Sequence, residues 1–558
     1  MKTKTKIIMA SSVGVLTLGL LGFTNSLTSE SKRETLDLDN KYSTSLPIEE
    51  KNTKHQKKNE IVTPPDLTKK STSFDVKPTS KGKLNTYFKK HSVDNVLKNV
   101  NAVKNPKLTL DVDKVLEKKW DVDIGNMSYR SNYELVGNYL YVGSNGDHFR
   151  DWRHVDKKSG VYKINTKNGK VSSKFCDANL GDMDVNGLLY HNGNLFFGND
   201  NDEFISTDLN GKINWRIPVS GDVEHKPTLI KNKENNFIVF ATETGEVRAV
   251  NPQTGNTVWQ HRDRAFSGWK EGDNRYVFKL QAHFTDGELF FHEPGIGDFN
   301  RDGVMDVLYG GTDIKAINGA NGKVLWKIPA EFNDVANKVK YEVNMTKATP
   351  LVVGKGKNTK VLTYAKEMTN IDSEENESKN NKGKILVFNY KGKLINRIPY
   401  SFEFNKGSWR KTHVENYKIN DVEAAFVSNN TIYIYNAENN AVSIIKQFNK
   451  FYKDHWGYID EEYYGKVEIA PFKIKTNVGA CRLVKWEFGP NTSKDERNRQ
   501  SIVKLFKVDD NSEVLTLRLP SGEEGPLLIK DIDRDGKKEL LVECNGKLIC
   551  YDLTSLKI

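Results

Sequence analysis

From about residue 107 to the C-terminal end, apolar and polar residues alternate in short runs, each ending in a turn rich in Asn, Asp and Gly. Period-two alternation places one set of side chains on each face of an extended strand, so these runs predict β-strands rather than helices. "GEVRAVNPQTGNTVWQHR" (245–262), "TDIKAINGANGKVLWKIP" (312–329), "DEFISTDLNGKINWRIP" (202–218), "GKILVFNYKGKLINRIP" (383–399) and "GVYKINTKNGKVSSKF" (160–175) share one plan: strand, tight turn, strand. Trp215, Trp259 and Trp326 each stand four residues after the turn glycines Gly211, Gly255 and Gly322. Upstream of these hairpins lies a further strand pair, as in "HKPTLIKNKENNFIVFAT" (225–242) and "HEPGIGDFNRDGVMDVLYGG" (292–311).

Four strands per repeat, with turn glycines at 169, 211, 255, 322 and 392, indicate an all-β, eight-bladed β-propeller. Seven blades are the alternative, because the seventh repeat diverges from the rest. The last repeat, "GPLLIKDIDRDGKKELLVECNGKLICYDL", lacks a fourth strand, whereas "VLEKKWDVDI" (115–124) is a fourth strand with no repeat before it. Pairing the two closes the ring and removes an open sheet edge. The organisation is therefore 1–26 signal peptide, 27–106 disordered linker and 107–558 propeller.

The "G-x-x-x-W" ending and the strand plan resemble the PQQ-like repeat family, with its BamB-like and quinoprotein dehydrogenase-like members. The resemblance implies the propeller fold. Its dehydrogenase members use an adjacent cysteine pair at the cofactor, and Cys176, Cys481, Cys544 and Cys550 include no neighbours, so no PQQ is expected. Cys544 and Cys550 flank an Asn-Gly turn. A two-residue loop would put them on opposite faces of the sheet and a three-residue loop on one face, leaving a disulfide open.

Two turns carry candidate metal chemistry. Asp298, Asn300, Asp302 and Asp306 occupy positions 1, 3, 5 and 9 of a loop, with the Val304 carbonyl at 7 and Gly303 at the bend. Asp531, Asp533, Asp535 and Glu539 repeat this, with the Lys537 carbonyl at 7. Alternating oxygens converging on one centre suit Ca²⁺, which takes six to eight of them. Position 12 is Tyr309 or Val542, and the flanks are strands, which excludes an EF-hand. The loops resemble the FG-GAP repeats of integrin propellers, which implies structural calcium between the first two strands of blades 4 and 8. "KNKENN" at the same place in blade 3 implies a metal-free turn.

Long connections gather on the other face: 263–279, 330–344, 401–411 and 449–466 between blades, and 145–160, 369–383 and 489–500 within them. Trp152, Trp269, Trp409 and Trp456 lie in them, and an aromatic ring in a loop needs something to pack against. His225, His292 and His413 begin inner strands on this face, with Arg410, Arg153 and Arg264 close by in sequence. These residues form the candidate ligand face; the alternatives are rings that pin their own loops and histidines that line the channel as hydrogen-bonded groups.

The formal charge of +11 does not mark nucleic-acid binding. Three lysines fall in 1–27 and an excess of six positive charges in 28–105, leaving the propeller near neutrality. "MKTKTKIIMASSVGVLTLGLLGFTNSLTSE" has the basic start and apolar run of an export signal, and an uncleaved anchor is the alternative. The N-terminal segment is the one membrane tether the sequence offers. The Lys/Ser/Thr-rich stretch that follows is too polar to offset ordering entropy, apart from a short helix expected at 93–103. These features point to an extracytoplasmic, calcium-stabilised, non-enzymatic propeller binding a protein or glycan of the cell envelope or beyond. The alternative is a polysaccharide-active enzyme resembling rhamnogalacturonan lyases.

Overall fold

The computed structural model describes residues 109–556 except 129, 147–156, 176–182, 233–235, 243–245, 263–293, 311–312, 330, 335–338, 344–349, 369–381, 401–414, 429–430, 447–462, 477, 491–499 and 522–524. These residues form eight sheets, antiparallel apart from one short parallel edge strand. Each is a blade with strands A to D in order, and the A strands of most successive blades touch one another around the axis. Blade 1 comprises Tyr133–Val136, Tyr139–Ser144, Gly160–Asn165 and Val171–Phe175. Blades 2, 3 and 4 begin at Leu188, Thr228 and Gly295. Blades 5, 6, 7 and 8 begin at Leu351, Glu415, Tyr463 and Leu528.

The ring closes as the hydrophobic pattern requires. Glu117–Asp123 pairs antiparallel with Lys547–Asp552 and becomes strand D of blade 8. Chain ends are tied there as well: the Glu117 amide donates to Ser555 Oγ at 3.0 Å, and Tyr551 Oη donates to Asp113 at 2.9 Å. Just before this strand, Thr109–Asp111 pairs in parallel with Glu513–Arg518 and adds a fifth strand to blade 7, which the alternation did not reveal.

Both faces of each blade are covered by its neighbours, so the core is a set of layers between blades rather than one centre. In blade 2, Phe197 and Ile205 pack toward blade 1, while Phe196 and Phe204 pack toward blade 3. This explains why the central strands are continuously apolar instead of alternating cleanly. Cys544 lies in the layer between blades 7 and 8, and Cys550 in that between blades 8 and 1. The Asn545-Gly546 turn has two residues, so the cysteines face opposite ways and stay unpaired.

The recurrent tryptophans seal the seams. Trp120, Trp215, Trp259 and Trp326 lie over the turn glycines Gly169, Gly255, Gly322 and Gly392 of the next blade. Each indole Nε1 donates to a carbonyl of that turn, Thr166, Pro252, Gly319 and Tyr390, at 2.8 to 3.1 Å. Glycine is required at Gly322 on two counts: its φ is +72°, and an added Cβ would stand 2.7 Å from the Trp259 ring.

One long connection is not a loop. Residues 330–344 contain a hairpin, Glu331–Asp334 with Val339–Glu342, whose second strand pairs with the end of Lys360–Met368 and extends blade 5. The connection expected at 449–466 likewise ends early, because strand A of blade 7 already starts at Tyr463.

Candidate functional site

Strand order fixes two faces. A–B and C–D turns open on one, and B–C and D–A connections on the other. The acidic turns belong to the first. In blade 4, Asp298 accepts the Asp302 and Gly303 amides at 3.1 Å each, which folds the chain back around its own carboxylate. Arg301 and Gly303 adopt φ of +67° and +87°, and Arg534 and Gly536 repeat those values within two degrees, so both turns share one backbone. Asp306 is fully buried and accepts the Phe299, Asn300 and Gly319 amides. Burial raises its pKa to about 6, a cost that a bound cation would remove. The donor set of Asp298, Asn300, Asp302, Asp306 and the Val304 carbonyl is all oxygen and fits calcium, which would neutralise these carboxylates when bound.

The blade 8 turn differs in one respect. Asp531, Asp533 and Asp535 bring carboxylate oxygens within 4.8 Å of one another, and the buried Asp531 Oδ1 has no hydrogen-bond partner. Into this group reaches Lys119, from the strand that closes the ring. Its Nζ donates to Asp533 at 2.7 Å and Glu539 at 3.0 Å, with Asp535 at 3.5 Å. Burial works against the ammonium, but the hydrogen bonds to Asp533 and Glu539 outweigh it and push its pKa up. The Asp531, Asp533, Asp535, Glu539 and Lys537 set therefore fits calcium only with Lys119 displaced. Sequence reasoning passed over this lysine. The available signal was its place just before Trp120, where the other blades carry Asn214, Val258 and Leu325.

On the second face, the described residues at the inner rim form a polar cluster joining three blades. Arg130, ahead of blade 1, pairs with Glu224, ahead of blade 3. Asn186 of blade 2 donates to the same carboxylate and accepts from Asn145 at 3.2 Å. Lys226 pairs with Glu134 at 2.8 Å. Asn132 bonds both the amide and the carbonyl of Leu188, as a strand backbone would. Both carboxylates, Glu224 and Glu134, are thus held in ion pairs that link one blade to another. None of these residues was anticipated from the sequence, because their partners lie on different blades.

His225 is at this rim as expected, but it is buried. Its Nδ1 lies 3.0 Å from the Lys226 carbonyl. Burial, followed by the nearby Arg130 cation, lowers its pKa to about 4, so the ring is neutral near pH 7. It reads as a structural histidine. Trp152, Trp269, Trp409, Trp456, His292, His413, Arg410, Arg153 and Arg264 lie outside the described residues. The lyase alternative, which drew on this face, is outside them to the same extent. Among the described residues no helix is long and apolar enough to cross a membrane.

No curated protein matches the chain significantly. Similar solved structures include BamB from Moraxella catarrhalis, at 11% identity over 79% of this chain and 100% of that one, with a TM-score of 0.44. Saccharomyces cerevisiae Sqt1 is similar at 9% identity over 78% and 99%, with a TM-score of 0.48. A europium-containing methanol dehydrogenase is similar at 14% identity over 78% and 86%, with a TM-score of 0.42. The family model for outer membrane protein assembly factor BamB matches residues 157–443, slightly more than half of the chain. The chain belongs to that family of PQQ-like repeat propellers.

Proposed function

We propose that the chain is an exported, non-enzymatic scaffold that binds a protein of the cell envelope through the face bearing its B–C and D–A connections. The observation that carries this reading is the match to a family described as an assembly factor. The rim cluster fits it: its charges are paired across three blades and make a rigid polar platform instead of a reactive centre. Export rests on the basic and apolar start of the sequence. Calcium holds the blade 4 turn in this reading. In blade 8, the Lys119 ammonium neutralises the acids until calcium displaces it.

A photo-crosslinking amino acid at Asp202 or Lys226 tests the binding face against Asn210 or Asn439, which sit in C–D turns on the opposite side. One discrete protein adduct from Asp202 and Lys226, with none from Asn210 and Asn439, is the expected result. Adducts spread equally over both faces, or no protein adduct from either, as a glycan ligand would give, would refute the reading.

A further inference from the structure

Four of the eight seams are closed by an indole, and the seam between blades 1 and 2 is one of the four that are not. Ser173 pairs with Lys163 across blade 1 in the register that Trp259 has with Ala249 in blade 3. Serine therefore stands where blades 2, 3, 4 and 8 carry tryptophan, as Asn396 does in blade 5 and Leu515 in blade 7. Two neighbours compensate in part. Phe175 packs against the turn glycine Gly211, and Tyr141 Oη donates at 3.1 Å to the Leu209 carbonyl, the acceptor an indole would have used.

The compensation leaves a cavity of about 210 Å³ in this seam, lined by Phe175, Phe197, Ile205, Thr207, Gly211 and Ile213 among others. Thr207 is 2% exposed, and its Oγ1 is buried without a hydrogen-bond partner. A buried hydroxyl with no partner costs free energy unless something completes it. Ile213, at 41% exposure, opens the seam to solvent on the outer rim. Arg216, also in the lining, places a guanidinium paired to Glu203 beside the apolar wall.

We propose that this seam is a binding site for an aromatic ring, and that its occupant is a tryptophan side chain of a partner protein. Size selects the class: benzene fits cavities of about 150 Å³, drug-sized ligands need roughly 300 Å³ or more, and this space suits one bicyclic ring. The polar content selects the ring. An indole has one N–H donor and the Thr207 oxygen is an open acceptor, while the Arg216 cation favours an aromatic face. The same molecule packs an indole over the corresponding turn glycine at four seams. A partner's tryptophan would enter this seam from outside, beside the Phe175 ring that already covers Gly211.

The test is a ¹⁹F NMR titration of the full chain with 5-fluoroindole, followed by competition with N-acetyltryptophanamide. Saturable broadening that the amide reverses is expected for the wild type. Ser173→Trp supplies the missing ring in cis and should weaken probe binding at least tenfold while raising the thermal midpoint. Should that variant fail to fold, Thr207→Val preserves the cavity and should weaken binding about fivefold through loss of one hydrogen bond. No saturable binding, or equal binding to the wild type and both variants, overturns the proposal. Binding of free indole without competition by the amide overturns the protein-borne occupant. Binding that emerges only after Trp152→Ala assigns the site to the chain's own ring and likewise overturns it.

Discussion

Replacing Lys119 by Met separates the two ways in which the blade 8 turn can be neutralised. The methionine keeps most of the aliphatic bulk and removes the ammonium held 2.7 Å from Asp533 and 3.0 Å from Glu539. Glu539 is fully buried and Asp533 nearly so, whereas Lys119 keeps 19% exposure. Removing one member of a buried ion pair costs about 3–5 kcal/mol, and the exposure of Lys119 lowers that to roughly 2–4 kcal/mol. In a domain this large the thermal midpoint should fall by a few °C in the presence of a chelator. Calcium should then restore stability beyond its effect on the wild type, because the vacated oxygens are free to bind it. A site at 100 times its dissociation constant contributes about 2.7 kcal/mol, enough to recover most of the loss. The assay is differential scanning calorimetry of both proteins in chelator and in millimolar calcium. An unchanged midpoint in chelator, or a loss that calcium does not reverse at all, would refute the view that this lysine stands in for a cation.

Further outcomes follow from the same geometry. Asp298→Ala should abolish the blade 4 share of calcium binding and lower the calcium stoichiometry found by isothermal titration calorimetry. An unaltered stoichiometry would remove this turn as a calcium site. Trp259→Ala should cost about 3–5 kcal/mol, since it empties a buried seam and orphans the Gly319 carbonyl, as read by urea denaturation. His225→Gln should flatten the pH dependence of stability in the acid range. The histidine's pKa is lowered on folding from 6.5 to about 4, so between those values the unfolded chain binds more protons and stability falls as pH falls. That fall is at most about 3 kcal/mol, and urea midpoints at pH 7 and pH 4.5 should show the variant losing less than the wild type.

The fold is legible because most blades repeat one local instruction: alternating runs and a glycine turn, followed in three of them by a tryptophan four residues later. Ring closure could be read from Trp120 alone, since a seam tryptophan with no repeat before it needs one elsewhere. The hairpin at 331–342 is hard to read from the sequence even though "VKYEV" alternates, because it stands outside the four strands that each blade repeats. Thr109–Asp111 was missed because three residues carry no periodicity. The rim cluster was illegible for a different reason. Arg130 and Glu224 are 94 positions apart in the chain and meet only because the inner strands of blades 1 to 3 converge on one axis. Ser173 was visible in "GKVSSKF" as a departure from the repeat, but that the departure leaves a space takes coordinates to see.

The proposed recognition uses one face. Once a crosslinked partner is isolated, hydrogen exchange of the chain alone and in the complex gives the footprint directly. Slower exchange confined to the rim and the B–C and D–A connections, including the amides around Asp202 and Lys226, is the predicted outcome. Slower exchange in the C–D turns around Asn210 and Asn439, with the rim unchanged, would contradict it.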